Sequence, residues 1–193
     1  MQELEQTIRE CQRGNALAWE ALIRRYQAKV YGVAYYFLGN SADAQEATQD
    51  VFIKLYQNLG NYAGGEDSFM PWLMSIARHC CIDRIRKTRT QSNYESDYQQ
   101  DHTDGSIEHS TPESILVQQQ NRNLIYQALE GFEQVDREII LLKEIQGLKV
   151  ENVAEILQMP IGTVKSRSNR ARIKLAKLLG ALSDAVPQQP EAI

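Results

Sequence analysis

Residues 148–178 read LKVENVAEILQMPIGTVKSRSNRARIKLAKL, which is two helical patterns separated by a tight turn. The apolar residues of the first pattern share one face, and Pro160 and Gly162 flank the start of the second. Ala154 provides a small side chain where two crossing helices must approach closely. The stretch therefore predicts a helix-turn-helix, with helices over 149–157 and 161–180.

The second of these helices has one apolar face and one basic face. A helix fits the DNA major groove when one face packs on its own domain and the other offers donors to bases and phosphates. A solvated basic face on a purely structural helix is the alternative, and the preceding short helix and turn favour DNA binding over it. At the helical period, the apolar face collects Ile161, Val164, Ala171, Leu175, Leu178 and Leu182, and the basic face collects Lys165, Ser166, Asn169, Arg170 and Arg172.

The charge distribution places a local basic surface on an acidic chain. The net charge is −4, and residues 91–120 alone contain 6 Asp and Glu with no Lys or Arg. Residues 156–183 contain no acid at all. Because association with DNA depends on where charge lies rather than on its total, an acidic protein can still bind DNA. Arg167 and Lys174 lie behind or beside the basic face, so we assign them to phosphates or solvent.

The rest of the chain predicts further helices and no convincing strand. Asn15 is a plausible N-cap for a first helix ending near Gly39, and a second helix begins around Ser41. A glycine-rich loop follows at 60–67, and we expect Pro71 in the first turn of the next helix, which ends in the basic run 84–89. Helices over 112–130 and 134–146 precede the helix-turn-helix.

The fold class predicted is all-α, with two small helical domains joined by a flexible acidic linker. The linker has too few apolar residues to order a core of its own. The predicted boundaries are 1–90 for the first domain, 91–111 for the linker, 112–182 for the second domain and 183–193 for a disordered tail.

The cysteines and the N-terminus bear on location and metal binding. Three cysteines suit neither a secreted disulfide framework nor a paired zinc motif, and the acidic N-terminus lacks a signal-peptide pattern, so we expect a cytoplasmic protein with reduced thiols. His79 and Asp83 are four residues apart on one helix face, but Cys80 and Cys81 point in different directions. We therefore expect no metal site and no cofactor, with Cys80 in the core and Cys81 partly buried.

Three motifs together resemble the extracytoplasmic-function sigma factors of bacterial RNA polymerase. Residues 162–172, GTVKSRSNRAR, resemble the region-four helix-turn-helix of that family, and residues 43–52, DAQEATQDVF, resemble its polymerase-binding helix. Residues 69–78, FMPWLMSIAR, resemble the segment near its surface for the −10 promoter element. Order and spacing agree over residues 10–180.

The resemblance implies a non-catalytic factor that binds core RNA polymerase and promoter DNA and has an anti-sigma partner. The first domain would then be region 2, which binds polymerase and recognises and melts the −10 element, and the second would be region 4. The resemblance places −35 recognition at Thr163, Lys165, Ser166, Asn169 and Arg170, with Arg172 on a phosphate. It places recognition of the −10 element at Tyr62, Ser68, Phe69, Trp72, His79, Asp83 and Arg86, and the basic run 84–89 would attract the DNA backbone. It places binding of core polymerase at Asp43, Glu46, Gln49, Asp50 and Phe52.

Several of these positions have a structural interpretation or depart from the family pattern. Trp72 is interpreted first as a core anchor, and Tyr62 and Phe69 as supports of the loop, with stacking on a base as the alternative. His79 replaces a common asparagine, which leaves the preferred −10 base open, and Ser168 replaces a usual aliphatic residue, which predicts looser packing. Ala47 is smaller than the usual leucine, and the extra glycine in Gly64–Gly65 changes the loop.

Two other functions fit parts of the pattern. A non-sigma regulator would use residues 112–182 to bind DNA and residues 1–90 to sense or dimerise, and it would bind a promoter without polymerase. A helical metalloenzyme would centre on His79 and Asp83, but the sequence offers no third convergent ligand, nucleophile or phosphate-binding loop.

Overall fold

The computed structural model describes residues 2–92, 128–129 and 131–185, and every secondary-structure element within these ranges is helical. The chain divides into two compact units, Met1–Ser106 and Ile107–Ile193. The all-helical fold class with two helical domains is confirmed. The predicted linker beyond Ser92, most of the predicted 112–130 helix and residues 186–193 lie outside the described residues. No helix in the described ranges has the length and apolar character needed to cross a bilayer.

The described residues of the first unit form four helices, α1 (Gln2–Gln12), α2 (Ala16–Leu38), α3 (Ser41–Leu59) and α4 (Glu66–Ser92). The caps of α2 are those predicted. Asn15 Oδ1 accepts hydrogen bonds from the backbone N–H of Leu17 at 3.0 Å and of Ala18 at 3.4 Å. Gly39 ends the helix with a φ of +74°, a conformation that glycine adopts without steric cost.

The N-cap of α3 is Asn40, one residue before the predicted start. Its side chain accepts from the backbone N–H of Asp43 at 2.8 Å and donates to the Asp43 carboxylate at 2.7 Å. Ala47 is 1 % exposed and packs with Ala34, Ala44 and Cys81 beneath a layer of partly buried aromatic residues. The aromatic side chains that cover this cluster therefore fill the space that a larger side chain at position 47 would occupy.

Helix α4 differs from its prediction in three respects. It begins at Glu66, so Pro71 lies inside the helix and not in its first turn. Cys81 is fully buried rather than partly buried, and Ile76, which was expected in the buried stripe, is only half-buried. The helix also continues to Ser92, past the basic run and into the predicted linker.

Helix α1 was not predicted. Leu4, Ile8 and Cys11 are all buried, and their spacing of four and three residues places them on one helix face. The indole N–H of Trp19 donates to the backbone carbonyl of Cys11 at 3.0 Å. These contacts fix the C-terminal end of α1 against α2.

The second unit contains α5 (Gln134–Ile139), a π-helical segment (Ile140–Ile145), α6 (Val150–Leu157) and α7 (Ile161–Ala185). Gly147, with a φ of +71°, makes the turn before α6. The buried core of the described residues includes Ala128, Leu129, Phe132, Ile139, Ile140, Leu141, Leu142, Leu148, Val153, Ala154, Ile156, Val164 and Ala171.

The predicted helix-turn-helix is present, with two differences in α7. Ile161 was expected on the apolar face, but its side chain is 44 % exposed. The helix continues through residues 183–185, which were expected in a disordered tail.

Substituting the cap of α2 should destabilise the first unit. Asn15→Ala removes the acceptor for two N–H groups and should lower the free energy of unfolding by about 1 kcal/mol. Urea denaturation followed by tryptophan fluorescence measures it, because the chain's two tryptophans, Trp19 and Trp72, both belong to this unit. Asn15→Ser keeps a capping oxygen and should retain most of the stability; equal losses for the two variants would contradict the capping role.

Candidate nucleic-acid interface

The described structure of α7 places the predicted −35 residues on its outer side. The side chains of Lys165, Ser166, Asn169, Arg170 and Arg172 are exposed. Only Thr163, at the start of the helix, is half-buried. Within this face the Ser166 hydroxyl donates to the carbonyl of Thr163 at 3.0 Å, whereas the guanidinium of Arg172 lies 3.4 Å from Asn169 Oδ1 and Arg170 Nε lies 3.4 Å from the carbonyl of Ser166. The side chains of Lys165, Arg170 and Arg172 therefore keep N–H donors available to a ligand.

Two further cations of α7 serve the fold, contrary to prediction. Arg167 Nε donates to Asp136 Oδ1 at 2.6 Å, and its Nη2 donates to Glu133 Oε2 at 2.7 Å. Lys174 Nζ donates to the carbonyl of Gly131 at 2.5 Å and lies 4.5 Å from the centre of the Phe132 ring. The assignment of Arg167 and Lys174 to phosphates or solvent is therefore wrong, because both hold α7 to the segment before and within α5.

Ser168 is accommodated by a polar contact in place of the usual aliphatic packing. Its side chain is 5 % exposed, and its hydroxyl donates to Glu144 Oε1 at 3.3 Å. Lys143 Nζ lies 2.6 Å from the same carboxylate oxygen. Hydrogen bonds and charge from Lys143 hold the pKa of Glu144 below its usual value, so the carboxylate stays ionised and remains an acceptor. The predicted loose packing is thus offset by a hydrogen bond.

In the first unit, α3, the loop at 60–65 and α4 surround a cavity of about 450 Å³. Tyr62 and Trp72 form part of its wall, with ring centres 4.5 Å apart and an angle of 25° between the ring planes. The cavity is lined by Lys54, Asn58, Asn61, Tyr62, Ala63, Trp72, Ser75, Ile76 and His79.

Tyr62 also determines the shape of the loop. Its hydroxyl donates to the carbonyl of Gly65 at 2.8 Å, and burial raises its pKa, so it remains a donor. A Cβ atom on Gly64 would lie 2.6 Å from that hydroxyl oxygen. A side chain at position 64 would therefore displace the Tyr62 ring from its place in the loop.

His79 lies at the cavity with a defined tautomer. Its Nδ1 is 2.7 Å from the backbone carbonyl of Ser75, which can only accept a hydrogen bond. The proton therefore lies on Nδ1, and Nε2 of the neutral ring is an acceptor.

The predicted −10 residues do not all lie at this cavity. Phe69 is fully buried, so the prediction of a DNA contact there is wrong, and its ring packs against Tyr26, Tyr62 and Trp72 at centroid distances of 5.3, 5.7 and 6.1 Å. Ser68, Asp83 and Arg86 are exposed but lie outside the cavity lining. The sequence analysis did not identify Lys54, Asn58 and Ser75. Their spacing of three or four residues from other lining residues could have placed them on the same helix faces.

Three carboxylates expected to bind polymerase converge on one arginine. Arg84 of α4 lies 3.1 Å from Asp43 Oδ1 and 3.5 Å from Asp50 Oδ2, and it also donates to Glu46. Its side chain is 25 % exposed, so Arg84 is not free to attract a DNA backbone as predicted. The prediction for Arg84 is wrong because the acids of α3, more than 30 residues away in sequence, neutralise it.

The remaining polymerase-binding candidates and the cysteines are also located. Gln49 is exposed and Phe52 is half-buried on α3.

Burial raises the pKa of Cys81 to about 12 and also raises that of Cys80, so neither thiol is a thiolate at neutral pH. In the described residues, no three His, Cys, Asp or Glu side chains come together as metal ligands.

Comparison with known proteins connects the two units to one family. The Sigma-70 region 2 family matches residues 22–91, and the Sigma-70, region 4 family matches residues 122–175. The RNA polymerase sigma-H factor of Pseudomonas aeruginosa is 31 % identical over 185 residues, 92 % of this chain and 94 % of that protein. The ECF RNA polymerase sigma factor SigW of Bacillus subtilis is 32 % identical over 183 residues, 91 % of this chain and 96 % of that protein.

The chain belongs to the extracytoplasmic-function (ECF) sigma factors of the sigma-70 family. As an alternative sigma factor, it directs promoter-specific transcription initiation by core RNA polymerase. Family membership decides against both the non-sigma regulator and the metalloenzyme.

Two solved structures share the fold. CnrH in complex with the cytosolic domain of CnrY has a TM-score of 0.64 and 21 % identity, over 91 % of this chain and 96 % of CnrH. The sigma factor RpoE of Bartonella quintana, in complex with the anti-sigma factor NepR, has a TM-score of 0.65 and 21 % identity, over 83 % of this chain and 96 % of RpoE.

Removing Arg84 should destabilise the first unit of the sigma factor through charge repulsion. Arg84→Met leaves Asp43, Glu46 and Asp50 uncompensated on one helix, and the free energy of unfolding should fall by about 1–2 kcal/mol at low salt. Salt should reduce the difference, because it screens repulsion between the exposed carboxylates. Urea denaturation at two salt concentrations measures it, with exposed Lys87→Met as the control; equal losses in the two variants would contradict the network.

Removing Arg167 should loosen the second unit, whereas removing its exposed neighbour should not. Arg167→Met eliminates two charge-assisted hydrogen bonds to α5 and the residue before it, and should cost roughly 1–2 kcal/mol. Hydrogen exchange across α5–α7 in the full chain measures the loss. Arg170→Met is the matched control, and greater loosening in that variant would contradict the assignment.

Proposed function

We propose that α7 of this sigma factor reads the −35 promoter element. The observation that carries the proposal is the division of α7 into a buried face, with Val164, Ser168 and Ala171, and an exposed face of polar and basic side chains. Arg167 and Lys174 fix the helix, so its exposed donors have a defined orientation. Bases are read by Thr163, Lys165, Ser166, Asn169 and Arg170, and Arg172 contacts a phosphate.

The cavity beside the 60–65 loop holds an unstacked −10 base. Its volume of about 450 Å³ and its stacked Tyr62–Trp72 wall suit a planar base, and Lys54 supplies nearby positive charge. The Nε2 acceptor of His79 offers a contact to a donor group on that base. Arg86 lies outside the cavity lining and contacts the neighbouring DNA backbone, whereas Asp83, also outside the lining, lies 3.8 Å from Lys54 Nζ and orients that cation.

The exposed face of α3 binds core polymerase. Asp43, Glu46 and Asp50 are held together by Arg84, and Gln49 is exposed beside them. An acidic, pre-ordered face is suited to a basic partner surface. The proposed domain assignment takes the observed helix ends into account: residues 1–92 act as region 2, 93–111 as the linker, 112–185 as region 4 and 186–193 as a tail.

The protein acts in the cytoplasm as a non-catalytic specificity subunit that needs no metal or cofactor. An anti-sigma factor would regulate it by covering the polymerase- and DNA-binding surfaces. Two proteins of the same fold form complexes with a protein partner: RpoE with the anti-sigma factor NepR, and CnrH with the cytosolic domain of CnrY.

Substitutions on α7 should separate base contacts from phosphate contacts. Lys165→Ala and Arg170→Ala should each reduce discrimination between a cognate and a mutated −35 element by about 1–3 kcal/mol. Arg172→Ala should weaken both templates equally, because a phosphate carries no sequence information. Run-off transcription with core polymerase measures each ratio. Unchanged ratios in both Lys165→Ala and Arg170→Ala would contradict the proposal.

Substitution at the cavity should impair promoter opening without impairing polymerase binding. His79→Ala removes the Nε2 acceptor and should lower discrimination at the −10 element by roughly fivefold to a hundredfold. A fluorescent base analogue in the −10 region reports opening, and a pull-down reports polymerase binding. Gln27→Ala, exposed on α2, is the control. A loss of polymerase binding that matches the loss of opening would contradict a specific role of the cavity.

A further inference from the structure

One side chain of α1 connects that helix to the cavity loop. Gln12 Nε2 donates to the backbone carbonyl of Leu59 at 2.9 Å and to that of Tyr62 at 3.0 Å. Leu59 is the last residue of α3, and Tyr62 lies within the loop. A primary amide has two N–H donors, so Gln12 can satisfy both carbonyls with one group.

The main chain next to Gln12 is fixed by contacts with neighbouring helices. The residue before it, Cys11, is buried, and its carbonyl accepts the hydrogen bond from the Trp19 indole. The Trp19 ring also contacts Tyr56 of α3, with centroids 5.0 Å apart. Helices α2 and α3 therefore both help to fix the end of α1 from which Gln12 projects.

The carbonyls that Gln12 binds belong to the turn that places Tyr62. The backbone N–H of Tyr62 donates to the same Leu59 carbonyl at 3.0 Å. The Tyr62 ring stacks on Trp72, and its hydroxyl binds the Gly65 carbonyl. Gln12 thus restrains the main chain of the residue whose side chain forms the cavity wall.

We propose that Gln12 is a positioning residue for recognition of the −10 element and acts by bracing the 60–65 loop. The role rests on the proposed function of the cavity, but the brace itself is a property of the free protein. Gln12 is exposed, so its side chain is not part of the buried core. Its substitution therefore tests the loop without removing a core contact.

The first measurement is hydrogen exchange of the free, full chain. Gln12→Leu removes the donors at similar size, and Gln12→Glu sets a carboxylate against two carbonyl oxygens. Exchange at residues 60–65 should rise roughly threefold to tenfold in both variants, while α2 is unchanged. Gln6→Leu, exposed on the same helix, is the control and should leave the loop unchanged. Unchanged loop exchange in both Gln12 variants overturns the proposal.

The second measurement is promoter opening by the holoenzyme. Discrimination between cognate and mutated −10 elements should fall roughly threefold to tenfold in Gln12→Leu, with unchanged polymerase binding and −35 discrimination. Combining it with Tyr62→Ala should add little, because both act through the same wall. Faster loop exchange with unchanged −10 discrimination overturns the positioning role. If His79→Ala and Tyr62→Ala also leave opening unaffected, the proposed function of the cavity fails as well.

Discussion

The first unit depends on the burial of Phe69, which lies one turn into α4 where that helix meets α2 and the 60–65 loop. Its fully buried ring contacts Tyr26 of α2, Tyr62 of the loop and Trp72 of α4. Burying such a ring stabilises the fold by about 2–3 kcal/mol. The loop therefore packs on the core through Tyr62 in addition to its covalent connections to α3 and α4. The cavity wall of Tyr62 and Trp72 contacts the buried ring of Phe69. Phe69 therefore supports the cavity wall from within the core.

The cations of this sigma factor divide into those that hold the fold and those that face outward. Arg84 joins α4 to three acids of α3, and Arg167 joins α7 to Glu133 and Asp136. The cations that lie near the exposed side of α7, Lys165, Arg170 and Arg172, are left for a ligand. This division explains how a chain with a net charge of −4 presents a basic surface, because its acids are used within the fold to orient particular arginines.

The sequence predicted the features that depend on local pattern. Helices α2, α3 and α7 follow from apolar periodicity, and the ends of α2 follow from Asn15 and Gly39. Arg84 and Arg167 were misassigned because their partners lie 41 and 31 residues away, at separations that no helical period reports. Helix α1 was missed because only a few of its eleven residues are apolar. The sequence predicted only part of the cavity lining. Lys54 and Asn58 were missed because they belong to α3, whose sequence motif indicated polymerase binding.

The central claim is that one chain gives core polymerase two separate DNA contacts, a groove-reading helix in the second unit and a base-holding cavity in the first. Selection from a randomised DNA library, with and without core RNA polymerase, tests it most directly. The account predicts that holoenzyme enriches sequences with two elements at a fixed spacing, and that the protein alone enriches neither strongly. Strong enrichment of a single palindrome by the protein alone would contradict it.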